Sequence, residues 1–100
     1  MPLSSNARKK LKALAHHLNP TVMLGNKGLT QNVCLETSRA LTIHELIKVR
    51  VSVNSREERQ QIIHEICNFC EADLVGMVGH IAILYRENPE LKKFLTHTSK

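Results

Sequence analysis

Aromatic side chains are scarce in this sequence, which has no Trp, one Tyr and two Phe among its 100 residues. Proteins that read single-stranded nucleic acid on an open sheet or barrel stack the bases on several aromatic rings. This chain has too few rings for that mode. If it binds a nucleic acid, we expect the contacts to be with the phosphate backbone and with the shape of the ligand.

Acidic residues are missing from the first third of the chain, where no Asp or Glu precedes Glu36. The same stretch contains five cations, which are Arg8, Lys9, Lys10, Lys12 and Lys27. The whole chain has 14 Lys and Arg against 9 Asp and Glu, so these five account for the net charge of +5. A one-sided basic region is typical of a polyanion-binding protein. A solvated basic helix that keeps a protein soluble has the same composition.

Long apolar runs are absent as well. No stretch approaches the length of about 18 residues that crosses a membrane, and no signal-peptide core follows Met1 and Pro2. We therefore expect a soluble, cytoplasmic protein with reduced thiols and no membrane partner. The length predicts one domain, spanning residues 1–100.

The apolar pattern predicts the order helix, strand, helix, strand, helix, strand, strand. The predicted elements are a helix over 4–19, a strand over 21–24, a helix over 31–44, a strand over 46–53, a helix from the capping box at 55–58 to Cys70, and strands over 74–78 and 81–85. Strands separated by helices imply parallel crossovers, and the closing hairpin makes the sheet mixed. The fold class is therefore α/β, arranged as a two-layer α+β sandwich.

Between the first strand and the second helix lies a Gly-x-x-Gly loop, formed by Gly25, Asn26, Lys27 and Gly28. Glycine permits positive φ and leaves backbone N–H groups unobstructed, and the N-terminus of the helix that Thr30 opens favours an anion. A lone Gly-x-x-Gly can be only a turn. The strand before it, the capped helix after it and the basic helix upstream favour a phosphate clamp.

Two further groups of cations are candidates for phosphate contacts. In the first helix, Arg8, Lys9, Lys12 and His16 lie opposite the apolar stripe formed by Ala7, Leu11, Leu14, Ala15 and Leu18. In the second strand, Lys48 and Arg50 alternate with buried-type Ile and Val residues. The period of two predicts that these two side chains lie on an open, basic face of the sheet.

The pair Cys67 and Cys70 has the spacing of a redox or zinc motif. Redox pairs lie at a helix N-terminus, where the dipole lowers the thiol pKa, whereas this pair lies at the end of a helix. A zinc site needs four ligands, and no second pair of Cys or His supplies them. Of the six His residues, His16 and His17 are adjacent but point about 100° apart on a helix, so they cannot easily share one metal. The other four are scattered, and nothing is spaced as a catalytic set. We therefore predict buried structural thiols, no metal, no cofactor and no enzymatic activity.

Several segments together resemble the CRM domain family, whose stand-alone bacterial members are the YhbY-like RNA-binding proteins. The resemblance rests on Leu3-Ser4-Ser5, the helix end from Leu14 to Pro20, the segment from Val22 to Thr30, His44 to Val49, and Gly79 to Arg86. It implies a compact core over about residues 3–86 and a C-terminal tail over 87–100. In that tail, Leu91, Phe94 and Leu95 could form one more helical turn, or the tail could fray.

The resemblance also implies a fold like the C-terminal domain of translation initiation factor three, with a four-stranded mixed sheet in the order 1-2-4-3 and helices mainly on one face. Its implied function is RNA binding through the glycine loop, supported by the basic helix. In bacteria it further implies association with precursors of the large ribosomal subunit. We therefore expect a monomer that binds structured RNA, with ribosomal RNA as the partner and no small-molecule substrate. The alternative is a protein–protein adaptor whose basic helix docks an acidic partner.

Overall fold

The computed structural model describes residues 3–25 and 27–90 of the chain. Its elements are α1 (Ser5–Ala15), β1 (Pro20–Leu24), α2 (Gln31–His44), β2 (Leu46–Val51), α3 (Arg56–Cys70), β3 (Asp73–Val78) and β4 (Ile81–Tyr85). This is the order that the sequence pattern predicts. No helix among the described residues combines the length and the apolar character that crossing a membrane requires.

Side-chain caps explain where the three helices begin. The Ser4 hydroxyl accepts a hydrogen bond from the Ala7 N–H at 3.1 Å, and the Thr30 hydroxyl accepts one from Val33 at 3.2 Å. Ser55 caps α3 by accepting from the Glu58 N–H at 3.2 Å. Each cap satisfies a backbone donor that has no partner within its helix.

The four strands form one mixed sheet in the order β1-β2-β4-β3. The outer strand β1 pairs with β2 in parallel, and β4 pairs antiparallel with both β2 and β3. The parallel pair needs a crossover, which α2 provides. The predicted fold class and strand order are confirmed.

Helices α2 and α3 pack on one face of the sheet and enclose the larger core. That core contains Val22, Leu24, Ala40, Leu41, Ile47, Val49, Val51, Ile62, Ile63, Ile66, Cys70, Ala82 and Leu84. Helix α1 covers part of the opposite face, where Leu11, Ala15, Leu46, Val75, Ile83 and Tyr85 form a second cluster. Two of the three helices thus lie on one face, and α1 adds a partial third layer.

The first helix is shorter than its pattern predicts, because it ends at Ala15 rather than Asn19. The Leu18 N–H donates to the Ala15 carbonyl at 2.9 Å in a turn that leads into β1. Beyond Leu11 and Ala15, the predicted stripe is not buried: Leu14 is 40% exposed and Leu18 36% exposed. The second strand is also shorter than predicted, since it ends at Val51 and not at residue 53.

Arg86 ties the ends of α2 and α3 to the last strand. Its guanidinium donates four hydrogen bonds, to the Ser38 carbonyl at 2.6 Å, the Ser38 hydroxyl at 3.1 Å, the Thr42 hydroxyl at 2.7 Å and the Cys70 carbonyl at 2.9 Å. The buried Glu45 accepts from the backbone N–H of Arg86 at 2.9 Å through its carbonyl and from that of Asn88 at 2.7 Å through its carboxylate. The chain is thereby fixed just beyond β4. Of the predicted tail, residues 91–100 lie outside the described residues, and these include Leu91, Phe94 and Leu95.

We expect Arg86→Lys to lower the free energy of unfolding by about 2 kcal/mol or more, because one ammonium group cannot replace a planar fork that reaches three residues. Urea-induced unfolding measures this loss. Arg39→Lys, at an exposed position on α2, is the matched control and should change stability by less than about 0.5 kcal/mol. Equal stability of the two variants would contradict a structural role for the Arg86 fork.

Candidate nucleic-acid interface

Three chain segments meet at one edge of the sheet, which we call the loop edge. β1 and β2 are parallel, so both end there, and the Ser52 N–H donates to the Leu24 carbonyl at 2.8 Å across the two ends. The β3–β4 turn reaches the same edge, where the Val51 N–H donates to the His80 carbonyl at 2.7 Å. The glycine loop, the segment after β2 and the β3–β4 turn are therefore neighbours, and α2 and α3 both begin beside them.

Only one of the two glycines in the glycine loop has a positive φ, and a hydrogen bond closes the loop into a tight turn. Gly28 has φ of +73°, whereas Gly25 does not lie in the left-handed region. The Gly28 N–H donates to the Gly25 carbonyl at 3.0 Å, so this donor is used within the turn and cannot bind an anion. Lys27 is exposed at the tip, and Asn26 lies outside the described residues. A Cβ at Gly25 or Gly28 would meet no atom within 4 Å, so the surface around both glycines is open.

The cations of α1 divide into two groups. Arg8 donates to the carbonyl of Leu74, near the start of β3, whereas the loop edge lies at the end of that strand. Lys9, Lys12 and His16 instead line a shallow depression along the helix. The structure brings these three together and places Arg8 apart from them.

The side chains of Lys48 and Arg50 on β2 differ in how far they are exposed to solvent. Lys48 is half-buried, and its ammonium donates to the Leu18 carbonyl at 2.9 Å and to the His16 carbonyl at 3.5 Å. The prediction of an open basic face is therefore wrong for Lys48, because the end of α1 lies over it. Arg50, on the same face and closer to the loop edge, is exposed. Lys12, His16 and Lys48 meet around one pocket of 230 Å³, which we call the α1 pocket.

Two arginines at the start of α3 were missed by the sequence analysis, which used this segment only as a helix cap. Arg56 and Arg59 line a cavity of 310 Å³ beside Gly79 of the β3–β4 turn. Arg59 also donates to the Val53 carbonyl at 2.6 Å and to the Asn54 carbonyl at 3.0 Å, which fixes its guanidinium in place. The strand pairing could have indicated these two residues. Because β2 is parallel to β1, the helix α3 that follows β2 must begin at the loop edge.

None of the three cysteines lines the α1 pocket or the cavity beside Gly79, and their thiols are not activated. Burial raises the pKa of Cys67 from its usual 9.0 to about 11, with smaller contributions from Cys70 and Asp73. Burial also raises the pKa of Cys34 and Cys70, and the Cys70 thiol donates to the Cys34 carbonyl at 3.7 Å. No three His, Cys, Asp or Glu side chains among the described residues are grouped to hold a metal ion. These thiols are packed in or beside the larger core.

Comparison with known proteins finds one family across most of the chain. The model of the CRS1/YhbY (CRM) domain matches residues 3–86. A Haemophilus influenzae protein named as an RNA-binding protein is 50% identical over 90 residues, which cover 90% of this chain and 91% of that protein. A Pseudomonas aeruginosa protein named as a probable RNA-binding protein is 38% identical over 100 residues, covering all of this chain and 96% of that protein.

A solved structure shares the fold. The solution structure of a Staphylococcus aureus hypothetical protein is similar to this chain with a TM-score of 0.82 and 27% sequence identity, covering 92% of this chain and 96% of that one. The names of both relatives describe RNA-binding proteins.

The different backbone angles of the two loop glycines predict different costs for the same substitution. Gly28→Ala should lower the free energy of unfolding by about 1 kcal/mol, because an L-residue is strained at its φ of +73°. Gly25→Ala should be close to neutral, since its new Cβ meets open space. Thermal or urea unfolding of the two variants compares them directly. Equal costs would mean that the loop is not held in this turn.

The raised thiol pKa predicts slow alkylation of Cys67. In the folded protein the Cys67 thiol keeps its proton to a higher pH, so its alkylation rate should keep rising as the pH approaches about 11. In the unfolded chain the same thiol ionises near pH 9.0. At pH 8 the folded protein should react about a hundredfold more slowly than the unfolded chain in urea. Iodoacetamide labelling, with the sites resolved by peptide mass spectrometry, measures both rates. Rapid labelling at pH 7, or zinc bound at one ion per chain, would contradict structural thiols.

Proposed function

The chain belongs to the CRS1/YhbY (CRM) domain family, and on that premise we propose that it is a non-catalytic protein that binds structured RNA at the loop edge. The observation that carries the proposal is the position of the glycine loop beside two sets of cations. Arg50 pairs with Met23, two residues before Gly25, and with Ile81, which lines the α1 pocket together with Lys12 and His16. Arg56 and Arg59 line the cavity beside Gly79 of the β3–β4 turn.

Phosphate and shape would dominate this interaction. The proposed contacts are Gly25, Asn26, Lys27 and Gly28 in the loop, Lys9, Lys12 and His16 along α1, and Lys48 and Arg50 on β2. We add Arg56 and Arg59, because they line the cavity beside Gly79. Arg8 donates to the Leu74 carbonyl near the start of β3, away from the loop edge, and for that reason would contribute mainly long-range charge. Cations on rigid helices and strands present a fixed pattern of charge, which favours an RNA whose phosphates are already arranged.

The finer identity of the ligand follows from the family resemblance. We propose ribosomal RNA, in a precursor of the large ribosomal subunit, as the physiological partner of a cytoplasmic, monomeric protein. Crosslinking in cells, followed by sequencing of the RNA recovered with the protein, tests this assignment. Recovery of messenger or transfer RNA without ribosomal fragments would overturn it and leave RNA binding intact.

An adaptor that docks an acidic protein through α1 is the alternative, because its surface would carry the same charge. Nuclease treatment separates the two functions. A partner recovered from cells by affinity purification should be lost after digestion with ribonuclease if RNA is the ligand, and retained if the ligand is an acidic protein.

We expect the loss of two proposed phosphate contacts to flatten the salt dependence of RNA affinity. Each contact releases condensed counterions, with a slope of about 0.7 to 0.9 in log affinity against log salt. The double variant Lys12→Gln with Lys27→Gln should therefore bind a folded ribosomal RNA fragment about tenfold more weakly, and its slope should be smaller by about 1.4 to 1.8. Titrations at four salt concentrations give both quantities.

The matched control is Lys10→Gln with Arg39→Gln, which changes the net charge by the same amount. Lys10 is exposed but lines neither depression beside α1, and Arg39 lies on α2, which packs on the other face of the sheet. This variant should retain nearly the full slope. If the two double variants lose affinity equally, net charge rather than the loop edge determines binding.

A further inference from the structure

One row of side chains crosses all four strands on the face that α1 leaves partly open. Met23 pairs with Arg50, Arg50 with Ile81, and Ile81 with Val78, so the row runs without a break along the loop edge. Met23 is 69% exposed and Val78 is 58% exposed. Apolar side chains are therefore presented to solvent on either side of Arg50 and next to Lys12 and Lys48.

The α1 pocket opens onto this row. Its apolar side is formed by Val78, Ile81 and Ile83, and its polar side by Lys12, His16 and Lys48. No carboxylate is among the residues that line it. Its 230 Å³ offers space for one planar ring system beside a cationic wall, rather than for a length of polypeptide.

The two lysines of the pocket are held by the fold. The Lys48 ammonium has three donors, of which two are directed at the Leu18 and His16 carbonyls, so one is left for a ligand. The Lys12 side chain lies over Gly76, with its Cδ 3.7 Å and its Cε 3.8 Å from where a Cβ on that glycine would stand. A Cβ at Gly76 would be in ordinary van der Waals contact with these carbons, so Lys12 lies against the sheet at this position while it lines the pocket.

We infer that the α1 pocket binds one unpaired nucleotide of the RNA, with the base against Val78 and Ile81 and a phosphate on Lys12 and Lys48. The inference rests on the proposed function and specifies the RNA further, as a folded RNA that carries a bulged or looped-out residue next to the helix held at the glycine loop. The apolar side of the pocket offers no hydrogen-bonding group, so it accommodates any base and does not read its identity. An apolar segment of a protein partner would leave the cationic wall without a counter-charge, and we favour the nucleotide for that reason.

The test compares two RNA hairpins that differ at one position. The first carries a single bulged adenosine, and the second carries an abasic ribose at the same bulge, so both have the same phosphates. The protein should bind the abasic hairpin about fivefold more weakly, because the apolar contact with the base is lost. The slope of log affinity against log salt should be the same for both hairpins.

The double variant Val78→Thr with Ile81→Thr keeps branched side chains suited to a strand but makes the side of the pocket polar. It should bind the two hairpins within a factor of about two of each other. Ile43→Thr, at a 53% exposed position on α2, should keep the full fivefold difference. Circular dichroism and urea unfolding confirm that each variant is folded.

The outcomes separate this inference from the proposed function. Equal affinity of the wild-type protein for the two hairpins overturns the nucleotide pocket and leaves RNA binding in place. A fivefold difference that persists in the Val78 and Ile81 variant places the base elsewhere and also overturns the inference. If neither hairpin nor any ribosomal fragment binds, the proposed function fails together with it.

Discussion

The parallel pairing of β1 with β2 is the constraint on which the rest of the molecule depends. Two parallel strands end at the same edge of a sheet, and the helices that follow them must begin there. Because β4 lies antiparallel beside β2, its first residue Ile81 and the turn before it come to that edge as well. A loop, two helix N-termini and a hairpin turn are thus assembled by topology alone, before any side chain is considered.

Much of the fold could be predicted because its signals are local. The caps at Thr30 and Ser55, and the alternation of apolar residues through β2, depend on neighbours within a few positions. The end of α1 could not be found in this way. Leu14 and Leu18 have helical spacing, but the helix stops at Ala15, and the chain beyond it is held from a distant strand by Lys48. The four bonds from Arg86 to α2 and α3 are equally non-local.

In the candidate site, too, some features can be recognised from local sequence and others only from the three-dimensional structure. The glycine loop and the basic helix can be recognised from sequence because composition and spacing identify them. The grouping of Lys12, His16 and Lys48 around one pocket required the sheet register, and so did the row from Met23 to Val78. Arg56 and Arg59 were overlooked because their local pattern already had an explanation as the start of a helix. A residue with a structural role is easily removed from a list of candidates for function.

The cations near the loop edge differ in how far they are ordered before a ligand arrives. The Lys48 ammonium and the Arg59 guanidinium are fixed by backbone carbonyls, whereas Lys27 and Arg50 are exposed. Because these bonds already hold the Lys48 and Arg59 side chains, both would lose little freedom when a ligand binds. Fixed cations suit phosphates in a preformed arrangement, and exposed ones can follow a mobile strand. A surface with both kinds can hold a rigid helix and an unpaired residue beside it, which is the ligand that we propose for the glycine loop and the α1 pocket.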